Sequence, residues 1–190
     1  MKKIGLFCTF LHSFNKNLLT NMLYSHHRGQ ASEKKGGGAS MNKHDAKQVA
    51  KWFLARNRDA TNDEGADYIS NLKLQKLLYY AQGCFLALKD RPLFDDPIVA
   101  WQHGPVVESV YHQYKKNGSN GIPFEEDFDF SEFSEEENTL LNEVYNTFGQ
   151  YSAWKLRNMT HNEAPWQDTP QNGEISRTAI KDYFTKEYIA

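Results

Sequence analysis

Residues 71–88 read NLKLQKLLYYAQGCFLAL, and no other stretch constrains the fold as strongly. Leu74, Leu77, Leu78, Ala81, Phe85 and Leu88 recur at helical spacing, and Tyr79 and Tyr80 widen the apolar stripe. A helix that is apolar over so broad an arc has to be surrounded, so it forms the centre of a packed domain. Ser70 or Asn71 caps its start. Gly83 interrupts the stripe at a cost of ~1 kcal/mol against alanine, which in a bundle implies a close neighbour.

Amphipathic segments are available to surround it. Residues 42–56 predict a helix, with Asn42 as N-cap and Ala46, Val49, Ala50 and Phe53 on one face. Residues 57–67 are polar and contain Gly65, which predicts a loop. Pro92 and Pro97 end helix after residue 90, and 98–101 suits a short extended segment. Gly104 and Pro105 predict the opening of a third helix, with proline at its tolerated first position. Val107, Val110, Tyr111 and Tyr114 form its stripe, and Lys115, Lys116 and Gly118 end it. Ser134 to Glu137 is a capping box ahead of Leu140, Leu141, Val144, Tyr145 and Phe148. Ser152 caps a short helix through Met159. Ser176 starts the last one, with Ile175 and Ile180 spaced for a hydrophobic staple. The expected fold is mainly α: a compact single-domain bundle of about six helices with one possible small β element.

Residues 1–40 stand apart from this pattern. They carry six basic groups against one acid, Glu33, whereas the whole chain has a net charge of -2, so residues 41–190 are acidic. Ile4 to Leu11 is too short and diluted for a secretory signal and lacks a small-residue cleavage site. Residues 33–40 read as a flexible linker. We expect residues 1–40 to be a disordered basic leader, or Met41 to be the natural start, with the domain spanning 41–190. Cys8 and Cys84 give no disulfide framework, which fits a reducing cytoplasm, and Cys84 lies within the apolar stripe as a packing residue. No apolar run approaches the ~20 residues of a membrane span.

Catalytic signals are weak. There is no GxSxG, P-loop or GxGxxG. His44 is expected on an exposed helix turn. Glu108 and His112 are four residues apart on one predicted helix, a spacing that suits a metal ligand pair or an exposed helix pair, with no third ligand nearby. Thr160 to Trp166 offers His161 as a base beside Glu163 as an acid; alternatively His161 bonds across a helix end while Trp166 packs inward. Acids run from Glu125 to Glu143 without an intervening Lys or Arg, threaded by Phe124, Phe128, Phe130 and Phe133. These rings either anchor a solvated loop or form an aromatic–acidic docking surface for a basic protein. Either way the region repels phosphates.

The 71–83 run NLKLQKLLYYAQG, the Pro92-Leu93-Phe94 turn, Ala100-Trp101-Gln102-His103-Gly104-Pro105-Val106-Val107 with Tyr111, and the His161–Trp166 element occur in the order found in the Panacea domain. The chain thus resembles the SocA-like antitoxins of bacteria and their phages, over about 42–184. The resemblance implies a compact helical protein that binds and neutralises a toxin in a type II toxin–antitoxin pair. In one branch it also implies an adaptor that delivers the toxin to the ClpXP protease. It supplies no catalytic residues, no cofactor and no metal site. The added helix-turn-helix module of some relatives is missing from the sequence, so DNA-binding autoregulation is not expected, and neither is membrane association.

Aromatic residues dominate interface hot spots. On that ground the residues expected to contact the toxin are Trp101, His103, Tyr111, Phe128, Phe130 and Trp166. A second reading from another class is a small metal-dependent hydrolase using His103, His161 and Glu163.

Overall fold

The computed structural model describes residues 44–64 and 67–189. The expected leader, the start at Met41 and the Asn42 cap lie outside these residues. Among the described residues there are seven α-helices and one two-stranded antiparallel sheet. Helix α1 is Ala46–Glu64 and α2 is Asn71–Lys89. Strands β1 (Val99–Trp101) and β2 (Gly104–Val106) follow, then α3 (Glu108–Tyr114). Helices α4 (Glu135–Phe148), α5 (Ala153–Thr160), α6 (Ala164–Gln167) and α7 (Arg177–Phe184) complete the chain, with a π-helical turn over Thr185–Ile189. None of these helices is long and apolar enough to cross a membrane.

Helix α2 is the axis. It packs against α1, α4, α5, α7 and β2, and every residue from Leu74 to Leu86 is buried. Ser70 caps it, accepting from the Lys73 amide, and Asp90 closes it in the left-handed region. A Cβ at Gly83 would lie 2.4 Å from the Phe184 ring. The glycine therefore lets α7 approach α2, as its place in the stripe implied. The Ser134 capping box, the Ser152 and Ser176 caps, and the burial of Ile175 and Ile180 all follow the sequence.

Three expectations are corrected, and one short helix joins the expected set. Helix α1 does not end at Arg56 but continues to Glu64. Asn57 explains this: its side chain bonds the carbonyl of Asp67, the amide of Ile69 and the phenol of Tyr145, so a polar residue is used internally. The start of α1 is held by a reciprocal pair, the Gln48 amide donating to Asp45 Oδ1 and the Asp45 amide to Gln48 Oε1.

His44 is buried rather than exposed, stacked on Phe133 at 3.8 Å beside Glu137. A seventh helix, α6, arises because Pro165 sits in its first turn, where a missing amide proton is harmless.

The largest correction concerns Gly104 and Pro105. They do not begin a helix; they form β2, paired with β1 across the tight Gln102-His103 turn. Gly104 has φ +96°, and a Cβ there would meet Thr160 Oγ1 at 2.7 Å and Lys76 Nζ at 3.0 Å. Glycine is thus required both by conformation and by space. The other side of β1 is bonded to residues 172–175, through the Asn172 and Ile175 amides and the Gly173 carbonyl.

Candidate functional site

The hairpin is fastened to α2 by polar side chains that the sequence places among apolar ones. Gln75 Oε1 accepts from the Val107 amide at 2.9 Å, and Asn71 Nδ2 donates to the Tyr111 carbonyl. Lys76, fully buried, donates from Nζ to the Pro105 carbonyl at 2.8 Å. These bonds satisfy backbone groups that would otherwise be stranded without water. Burial pushes the Lys76 ammonium down to about 7, and the Arg157 guanidinium adds to the effect. Asn71 was read from the sequence only as a possible cap, and Gln75 and Lys76 were given no role, because a polar residue inside an apolar stripe carries no sign of what it will meet.

The anchored hairpin walls a cleft of about 500 Å³ between the N-terminal end of α2, the Gln102-His103 turn, α3 and the 171–172 loop. Trp101, His103 and Tyr111 line it, so the structure brings together three of the six residues expected at a partner surface. Trp101 and Tyr111 meet edge to face at 4.8 Å. Asn71, Gln75, Gln102 and Asn172 add hydrogen-bonding groups, Lys115 is the charged residue of the lining, and the lining contains no Asp or Glu.

Trp166 backs this cleft and does not line it. Its Nε1 donates to the Trp101 carbonyl at 3.0 Å, and its ring stacks on His161 at 3.8 Å. It positions the hairpin turn. Trp154, missed by the sequence reading, stands 60% exposed on α5 with its ring 5.8 Å from His103. Its signal was available: a large aromatic on the polar face of a short helix whose buried positions are Leu156 and Thr160.

Phe128 and Phe130 belong elsewhere. They are half-buried and pack with Phe124, Phe133 and Trp52 against the N-terminal helix. Asn138 bonds the carbonyls of Phe130 and Phe133 and accepts from Trp52 Nε1. The rings anchor the loop, while Glu126 pairs with Lys51 and Glu136 with Lys89.

Glu163 is fully buried, and its Oε1 accepts from the phenols of Tyr80 (3.0 Å) and Tyr188 (2.7 Å). Burial, with the nearby Glu163 carboxylate second, raises the phenols of Tyr79, Tyr80 and Tyr188 well above their usual range. The carboxylate thus ties the C-terminal turn to α2. His161 caps the end of α5, and its imidazole is lowered by burial first, then by Arg157, Lys76 and His103. Glu108 and His112 are both exposed on α3. Among the described residues, no group of three or more His, Cys, Asp or Glu is placed to hold a metal ion.

The hairpin, with Gln75, Lys76 and Trp166, falls within a stretch, 74–167, that matches the model of the family described as antitoxin SocA-like, Panacea domain. Over these residues the chain carries a SocA-like Panacea domain. Among curated proteins it is similar to antitoxin SocA of Caulobacter vibrioides (strain NA1000 / CB15N), at 54% identity over 54 residues. That match covers 28% of this chain and 29% of the relative, so the chain spans under a third of the length of the curated protein it matches. No solved structure matches.

Proposed function

We propose that this Panacea protein is the antitoxin of a type II toxin–antitoxin pair and neutralises its cognate toxin by binding it through the cleft face. The observation that carries this reading is the convergence of Trp101, His103 and Tyr111 on one preformed cleft beside the exposed Trp154. An exposed tryptophan next to a half-open aromatic cleft is the arrangement that partner hot spots use. Gln75, Lys76 and Trp166 hold the hairpin rigidly, which lowers the ordering cost of binding. The loop carrying Phe128 and Phe130 is a separate patch whose rings are spent on packing.

Induced expression of the adjacent gene, with and without this protein, tests the function. Growth arrest relieved by co-expression, with a stable complex recovered, is the expected result. A harmless neighbour that forms no complex overturns it. The toxin's half-life in cells with and without ClpXP then separates a simple inhibitor from a protease adaptor.

A further inference from the structure

Behind the hairpin turn, four basic side chains from three parts of the fold converge without a carboxylate among them. Lys76 comes from α2, His103 from the turn, Arg157 from the last turn of α5, and His161 caps that helix. Gly104 is the spacer that lets them meet: its missing Cβ would sit within 3.0 Å of both Lys76 Nζ and Thr160 Oγ1. Arg157 acts electrostatically on both Lys76 and His161, and His161 also senses Lys76 and His103. Among the described residues, no ion pair engages any of the four.

Two side-chain nitrogens of this cluster, Arg157 Nε and His161 Nε2, are buried and have no hydrogen-bond partner. Buried polar groups are rarely left so, because each costs ~1–3 kcal/mol. The carbonyls at the end of α5 attract cations, but they are already used. Arg157 O accepts from Thr160 Oγ1 and the His161 amide, and Met159 O and Thr160 O accept from the Asn162 and Glu163 amides. The helix end therefore does not supply the missing acceptors.

We propose that Arg157, His161, Lys76 and His103 form an anion site at the rim of the cleft, whose ligand is a carboxylate side chain of the partner protein. The nature of the ligand rests on the partner-binding reading above; the existence of the site does not. A carboxylate fits because it offers two acceptor oxygens, one for the orphaned Arg157 Nε–H and one for His161 Nε2 when that imidazole is protonated. A partner's side chain fits better than a free ion because the exposed Trp154 stands over the Arg157 guanidinium at 5.7 Å and beside His103, which sets the cluster against the proposed partner face. The adjoining cleft lining is likewise free of acids. His161 and Lys76 both lose charge readily in this setting, so a bound carboxylate draws protons onto them and binding tightens as pH falls, toward about 7 through Lys76 and below neutral through His161.

Two measurements test this. In the first, the His103 and His161 imidazoles of the isolated protein are followed by NMR with acetate as probe, against chloride at equal ionic strength. A saturable shift with a raised His161 titration point, lost in Arg157→Gln, is expected. No saturable change overturns the site, and saturation by inorganic phosphate but not acetate overturns the carboxylate assignment. In the second, Arg157→Glu and Arg157→Gln are compared with Tyr111→Ala in the complex with the neighbouring gene product. Both Arg157 variants should weaken the complex, the glutamate by at least about tenfold, with thermal melts unchanged. Intact affinity in both Arg157 variants, with Tyr111→Ala defective, sinks the carboxylate assignment and leaves the partner face standing. Intact affinity in all three overturns the partner face itself, and the acetate titration then decides the anion site alone.

Discussion

Lys76 Nζ and the Pro105 carbonyl, 2.8 Å apart, join the central helix to the hairpin across a fully buried contact. A lysine with its ammonium held down to about 7 makes stability depend on pH. Between about 7 and its ordinary 10.5, the unfolded chain binds more protons than the folded one, so stability rises with pH across that window. Below it the penalty is fully present, on the order of 5 kcal/mol. Urea midpoints of the wild type should therefore climb from pH 7 to pH 9.5, and those of Lys76→Met should climb less. The upper limit keeps clear of the buried phenols. Parallel profiles for the two proteins would mean that Lys76 stays charged when folded.

The Gly83–Phe184 contact sets a second expectation. Alanine at a helix interior ordinarily gains ~1 kcal/mol over glycine. Here its methyl would stand 2.4 Å from the Phe184 ring, and overpacking of that kind costs about 1–3 kcal/mol. Gly83→Ala should thus lower the melting temperature. Gly83→Ala with Phe184→Leu should recover part of the loss, since the smaller side chain vacates the site. A stabilised single variant would show that α7 shifts freely on α2.

These contacts mark where the sequence was legible. The central helix, the serine caps and the close approach at Gly83 are local chemistry: a periodic stripe, a hydroxyl before a helix, a missing side chain in a packed face. Of the hairpin only the first strand was legible, as the extended 98–101 segment; the second was not, because Gly-Pro opens helices and also forms a strand whose backbone is satisfied from outside. What decided between them was Lys76 and Gln75, some 30 residues earlier in the chain. Asn57 misled for the same reason, since its partners at Asp67, Ile69 and Tyr145 turn an apparent loop former into an internal brace. Of the candidate site, aromatic identity pointed to Trp101, His103 and Tyr111. It also pointed to Phe128 and Phe130, because an aromatic ring in an acidic loop looks the same whether it docks inward or outward. Trp154 and the basic cluster emerge only when α5 is laid against the hairpin.

The Glu163 carboxylate fastens Tyr188 to Tyr80 inside the core. Tyr188→Phe removes a hydrogen bond to a charged group and should cost about 1.5–3 kcal/mol in denaturant unfolding. The raised phenols carry a further consequence. Tyrosine ionisation followed by ultraviolet absorbance should show a group of residues that ionise only when the protein unfolds in alkali, because the folded state holds those protons more tightly than the unfolded one. A smooth titration complete before unfolding, seen by circular dichroism, would mean the cage is open to solvent.

Trp154→Ala separates stability from recognition. The side chain is 60% exposed, so its loss should change unfolding free energy by no more than about 0.5 kcal/mol. If the cleft face binds the toxin, the same substitution removes a large exposed ring beside His103 and the Arg157 guanidinium and should weaken the complex by about 2 kcal/mol or more. Phe130→Ala is the counterpart. It deletes a ring that packs on Trp52 at 5.7 Å, so it should destabilise the fold while leaving affinity of the folded protein nearly unchanged. Calorimetric titration of each variant with the purified partner, alongside denaturant melts, reads both quantities. Affinity lost at Phe130 and kept at Trp154 would move the partner surface to the acidic loop.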